Sequence, residues 1–89
     1  MAWKIDFDEH VARELDRLGH VAAHRILRFL HERVARLDDP RSIGEALKGP
    51  ELGAFWKYRV GDYRIIASIE DDVLRILVVR VGNRRDIYR

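Results

Sequence analysis

Cysteine is absent from this 89-residue chain, so neither disulfides nor thiolate metal sites are available to it. That absence fits a reducing compartment, and a cytoplasmic location is the expectation. No apolar run approaches the roughly 20 residues that a helix needs to cross a bilayer, so no membrane partner is expected. The opening "MAWKIDFDEH" acquires acidic residues too early for a secretory leader. Histidine is missing from the second half: His10, His20, His24 and His31 all precede residue 32. Both prolines and three of the six glycines fall within residues 38–54, which leaves little to interrupt regular structure elsewhere. There is no internal repeat, linker or low-complexity tract.

What remains is a chain sized for one domain spanning residues 1–89, with 47% hydrophobic residues, enough to fold around a modest core. The formal charge of +2 is unevenly spread. Residues 1–40 hold 7 Lys/Arg against 8 Asp/Glu, a net of −1; residues 41–89 hold 10 against 7, a net of +3. An anionic partner would meet the second half.

Periodicity orders the elements. "AWKIDF" alternates, with Trp3, Ile5 and Phe7 on one side, as a half-buried strand does. Asp8 is placed to cap a helix carrying Val11, Leu15 and Leu18, and Gly19 stops it. A second helix over about His20–Leu37 presents Ile26, Leu30, Val34 and Leu37, flanked by Ala23, Leu27 and Phe29, until "DDP" ends it at Pro40. Residues 38–54 read as a loop with at most one helical turn around Ile43–Leu47. "FWKYRV" and "YRIIASI" flank Gly61-Asp62, a two-residue hairpin signal. After "EDD", the nearly continuous apolar run "VLRILVVRV" suits a central strand under the helices. The predicted fold is α+β, β-α-α-β-β-β: a twisted antiparallel sheet with a helical hairpin on one face.

Alternation then assigns faces. Trp56, Tyr58, Val60, Ile65 and Ala67 point at the helices. Lys57, Arg59 and Arg64 project from the bare face. Gly82 ends the last strand, and Arg84, Arg85, Tyr88 and Arg89 crowd the tail. Cations with a nearby ring suit a nucleic acid, since guanidinium and ammonium groups hold phosphates and a ring stacks on an unpaired base. One cation on a strand's outer face is ordinary solvation; three converging beside a basic tail are less so. Arg75 and Arg80, of opposite parity within an apolar strand, read as edge cations or ion-pair partners. His20, His24 and His31, spaced by 4 and 7, share a helical face and are read as surface residues, although that spacing could in principle hold a metal.

"LKG" at Leu47–Gly49, "FWKYRVGDYRII" and "VVRVGNRRDIY" together resemble the RelE/ParE superfamily of toxin–antitoxin toxins, and its RelE-like mRNA interferase branch more than its ParE branch. The resemblance spans nearly the whole chain. It implies a ribosome-dependent endoribonuclease that cuts messenger RNA in the ribosomal A site by attack of the RNA's own 2′-hydroxyl, with no metal and no cofactor. By position it implies a catalytic set of Lys57, Arg59, Arg64, Arg84 and Tyr88. Lys57, Arg59, Arg85 and Arg89 would hold RNA. Clustered cations disfavour each other's charge, which makes Lys57 the candidate base. Arg64 and Arg84 would hold the charge of the transition state, with Arg84 also the candidate acid, and Tyr88 would stack. The implied partners are a cognate antitoxin, the ribosome with its mRNA, and operator DNA through the antitoxin alone. By the same resemblance, Asn83 stands where many relatives carry histidine, and the short tail is expected to lack the C-terminal helix that some relatives add. Two alternatives stay open: a ParE-like inhibitor of DNA gyrase, and a catalytically degenerate member that serves as antitoxin partner and co-repressor.

Overall fold

The computed structural model describes residues 2–49 and 54–87. Strand β1 is Lys4–Phe7, helix α1 is Val11–Leu18 and helix α2 is His20–Glu32. Gly19 separates the helices with φ of 89°, a left-handed turn that a side chain would resist. Asp8 does not cap α1 as expected. His10 occupies the N-cap without a side-chain bond, while the Asp8 carboxylate accepts from the Glu9 amide at 2.8 Å. The His10 ring instead meets the Val79 carbonyl at 2.6 Å, so the helix start is tied to the sheet. Helix α2 stops five residues short of Leu37. Val34–Arg36 tightens into a 3₁₀ turn, and the Ala35 carbonyl accepts from the Trp3 amide at 2.9 Å.

The segment read as loop holds more structure than expected. Asp39 caps a 3₁₀ turn over Pro40–Ile43, and Glu45–Ala46 forms a short strand, β2. Both are drawn in by β3, Phe55–Val60: the Tyr58 hydroxyl donates to the Pro40 carbonyl at 2.7 Å, and the Leu47 amide to the Phe55 carbonyl at 3.0 Å. Arg41 fastens the same region, donating to Asp39 and Asp71, with its guanidinium 5.8 Å from the Trp56 ring. These bonds hold the Asp71 carboxyl below its ordinary range and raise Arg41.

Strand β4 is Tyr63–Glu70 and β5 is Arg75–Asn83. Gly61 has φ of 59° at the first of two turn positions, which fits the II′ hairpin class. The sheet order is β1-β5-β4-β3-β2, and the sheet is mixed rather than antiparallel. Strands β2 to β5 alternate in direction, which leaves β5 pointing the way β1 does. It lands beside β1 in parallel, Lys4 against Arg75 through Phe7 against Val78. One face carries the core: Val11, Ile26, Leu30 and Val34 from the helical side close on Tyr58, Val60, Ile65, Ala67, Ile76, Val78 and Val81. Most of these are fully buried, and each such aliphatic side chain contributes about 1.5–3 kcal/mol by leaving water. Phe29 meets the Tyr58 ring edge-on at 6.2 Å.

A bulge interrupts β5. Ile66 pairs with Arg80 but Ala67 with Val78, so Val79 stands unpaired. Val78 and Val81, three apart, therefore both face the core, and Arg80 is turned onto the open face. Arg75 is an ion-pair partner as expected. Glu70 takes its guanidinium at 2.9 and 3.1 Å, with Asp6 at 3.5 Å.

Candidate nucleic-acid interface

The pleat sends Lys57 and Arg59 of β3 to the face opposite the helices, and register decides what stands beside them. Lys57 opposes Ile66, and Arg59 opposes Arg64. Two guanidinium-bearing residues directly across a strand pair repel, a cost of roughly 0.2–1 kcal/mol that a scaffold without use for them would shed. Arg64 curls back over the hairpin end, its Nη1 donating to the Gly61 and Tyr63 carbonyls at 2.9 Å each. Among the described contacts its guanidinium meets carbonyls and no carboxylate.

The tail arrives at the same end. Tyr63 pairs with Asn83, and the Arg84 amide donates to the Asp62 carbonyl at 2.8 Å, which docks Arg84 on the β3–β4 turn. Its Nε stands 3.9 Å from Asp62 Oδ1, both groups exposed. Asn83 shapes the turn: its Oδ1 accepts from the Arg85 amide at 3.0 Å, and its carbonyl from the Asp86 and Ile87 amides. Arg85 is exposed beside Arg84.

Three of the expected residues, Arg59, Arg64 and Arg84, thus come to one end of one face, with Lys57 one pleat further along. Tyr88 and Arg89 lie outside the described residues. A depression of about 330 Å³ lies at Asp62 and the Asn83–Asp86 turn. A larger groove, about 500 Å³, lies elsewhere, between α2 and β3, where Arg25, Phe29 and Arg33 face Val60; Arg59 borders it. Volume there does not mark the chemistry, because Arg64 and Arg84 do not line it.

Sequence reasoning missed Glu45. In β2 it sits opposite Lys57, with Oε2 3.4 Å from Lys57 Nζ and Oε1 3.5 Å from Arg59 Nε. One carboxylate thus spans two of the expected RNA-binding cations. Glu45 and Arg59 are both more than half exposed, and pairs of that kind are worth about 0–1 kcal/mol, little enough for a phosphate to displace. A strand of two residues in a Gly- and Pro-rich segment leaves no periodic signal that could have revealed it. Among the described residues no three metal-ligating side chains come together, His20, His24 and His31 included. No helix among them is long and apolar enough to cross a membrane.

The family described as "ParE toxin of type II toxin-antitoxin system, parDE" matches residues 5–88. The chain is 30% identical over 84 residues to the "mRNA interferase toxin RelE" of Escherichia coli K12, covering 94% of this chain and 85% of that one. It is 28% identical over 89 residues to "Toxin RelG" of Mycobacterium tuberculosis, covering all of this chain and 99% of that one. Among solved structures, the toxin–antitoxin complex RelBE2 of Mycobacterium tuberculosis superposes with a TM-score of 0.86 at 24% identity, over 97% of this chain and 95% of that one. The intact RelBE complex of Escherichia coli gives 0.70 at 26% identity, over 92% and 96%. The chain belongs to the RelE/ParE superfamily and is a type II toxin–antitoxin toxin of the RelE family.

Proposed function

We propose that the chain is a ribosome-dependent endoribonuclease that cleaves messenger RNA in the A site and is restrained by a cognate antitoxin. The observation that carries this reading is the convergence of Arg59, Arg64 and Arg84 at one end of the open face, two of them opposed across a strand pair. The mRNA interferase name of a relative and the RelB-bound state of similar toxins support it.

The reaction needs a 2′-oxygen stripped of its proton, in-line attack on phosphorus, and a proton for the departing 5′-oxygen. It leaves a 2′,3′-cyclic phosphate and a 5′-hydroxyl. Arg64 and Arg84 supply planar donors for the phosphorane oxygens. Arg59 holds a neighbouring phosphate once Glu45 releases it, and any role of Lys57 as base begins with the same release. Tyr88 is assigned to stacking on a base. Arg85 and Arg89 are assigned to the RNA backbone. With few groups suited to proton transfer, catalysis leans on positioning, which the ribosome supplies by holding the substrate. The antitoxin places an acidic segment against the basic face, and operator DNA is reached through it. The compartment is that of translating ribosomes, the cytoplasm.

The test adds purified protein to a translating extract and maps mRNA ends by primer extension, with a gyrase supercoiling assay alongside. Codon-phased cuts that vanish in Arg64→Ala and Arg84→Ala bear the reading out. Gyrase inhibition without cuts replaces it with the ParE-like activity, and silence in both assays with the degenerate one.

A further inference from the structure

Strict alternation would send Arg80 towards the core with Ile76 and Val78. The bulge at Val79 turns it to the open face instead, opposite Ile66. Its guanidinium is not left in solvent. Nη1 donates to the Ile87 carbonyl at 2.9 Å, and Nε stands 3.6 Å from Glu14 Oε2. Glu14 is itself fixed: its Oε1 accepts from the Val81 amide at 3.1 Å, on the stretch of β5 edge that β1 leaves uncovered. Helix α1, strand β5 and the terminal turn therefore meet at one planar fork of donors.

The turn held there is the one that carries Arg84. Ile87 is 2% exposed and lies over Gly82, where an added Cβ would come within 3.3 Å of its Cδ1. Gly82 in turn opposes Arg64. Two clamps thus fix residues 84–87: the Arg84 amide on Asp62 at the near end, and Arg80 on Ile87 at the far end. Neither clamp belongs to the hydrophobic core.

We propose that Arg80 is a positioning residue for RNA cleavage. Braced by Glu14, it holds the Ile87 carbonyl, keeps the terminal turn folded over Gly82, and so keeps Arg84 beside Arg64. The catalytic half of this inference rests on the nuclease reading above; the structural half rests on the contacts alone. Displacing a reacting group by an ångström costs about a hundredfold in rate, which sets the scale of the effect.

The test compares full-length wild type with Arg80→Met and Arg80→Lys, measuring ribosome-dependent cleavage and amide exchange residue by residue. Arg80→Met is expected to lower kcat about 10- to 100-fold with KM within about twofold. Exchange at the Asp86 and Ile87 amides quickens while Ile26 and Val78 stay protected. Arg80→Lys, which still brings a donor to the carbonyl, recovers most of kcat. Wild-type kcat in Arg80→Met overturns the proposal. So does a loss that falls on KM, which would mark a direct RNA contact, or equal loosening of the core amides, which would mark general destabilisation. If the wild type itself cuts no mRNA, the nuclease reading fails separately, and unchanged exchange at Asp86 and Ile87 then ends the clamp as well.

Discussion

The two faces of one sheet are built from alternate residues of the same strands and follow opposite rules. On the covered face Tyr58, Ile65, Ala67 and Val78 are fully buried, and the Tyr58 hydroxyl that reaches inside has its partner in Pro40. On the bare face Lys57, Arg59, Arg64 and Arg80 stand within a few strand positions of one another, with Glu45 between two of them. The first face minimises free energy; the second carries like-charge repulsion that the first supports. Local stability conceded at one patch and recovered elsewhere is how a fold accommodates a working surface.

The contrast is sharpest in what each face loses to a single truncation. Leu30→Ala, on the covered side, is expected to cost 2–5 kcal/mol, roughly the span for an aliphatic side chain removed from a close-packed core, read from the denaturant midpoint. A loss below about 1 kcal/mol would mean that the core repacks around the gap. Arg64→Ala and Arg84→Ala should leave the melting temperature within about 3 °C of wild type while lowering cleavage about 10²- to 10³-fold. Melting temperatures that fall with activity would make these arginines part of the scaffold and dissolve the contrast.

Tyr58→Phe tests a buried polar atom of the covered face. Its loss should cost about 1 kcal/mol at neutral pH. Burial pushes the Tyr58 hydroxyl up to about 12, from an ordinary value near 10. The unfolded chain therefore releases this proton first. The contribution is fully present below about pH 10 and is lost as pH rises from there towards 12. Urea midpoints across that window should fall more steeply in wild type than in Tyr58→Phe, and identical slopes would refute the assignment. The smallest effect belongs to Glu45→Gln, which should tighten binding of a short single-stranded RNA by about two- to fivefold at low salt, measured by fluorescence anisotropy. Weaker binding would show that Glu45 organises the cations rather than occupying them.

Much of this was written in the residues. Alternation in "FWKYRV" and "YRIIASI" named the members of both faces, and Gly61-Asp62 set the register that opposes Arg59 to Arg64. The apolar positions Ile26 and Leu30 named the side of α2 that packs inward, and Val34 continues it from the 3₁₀ turn beyond. What escaped depended on partners distant in sequence. An unbroken apolar run cannot announce a bulge, so the turning of Arg80 stayed hidden. The direction of β1 is set by where β5 ends, which no local pattern encodes. Helix α2 ends at Glu32, and beyond it Ala35 answers the amide of Trp3, a bond that neither segment foretells. The carboxamide of Asn83 shapes the tail turn that carries Arg84, a role that no local pattern announces.

The pairing of Lys4 with Arg75 makes β1 wait for β5, about 70 residues later in the chain. A nascent polypeptide emerging from a ribosome can form its helices and its first hairpin early. It cannot seat its opening strand, or bring Arg84 to the turn that receives it, until the closing strand has been made. On the function proposed above, a toxin so wired cannot act on the ribosome that builds it before β5 has been made.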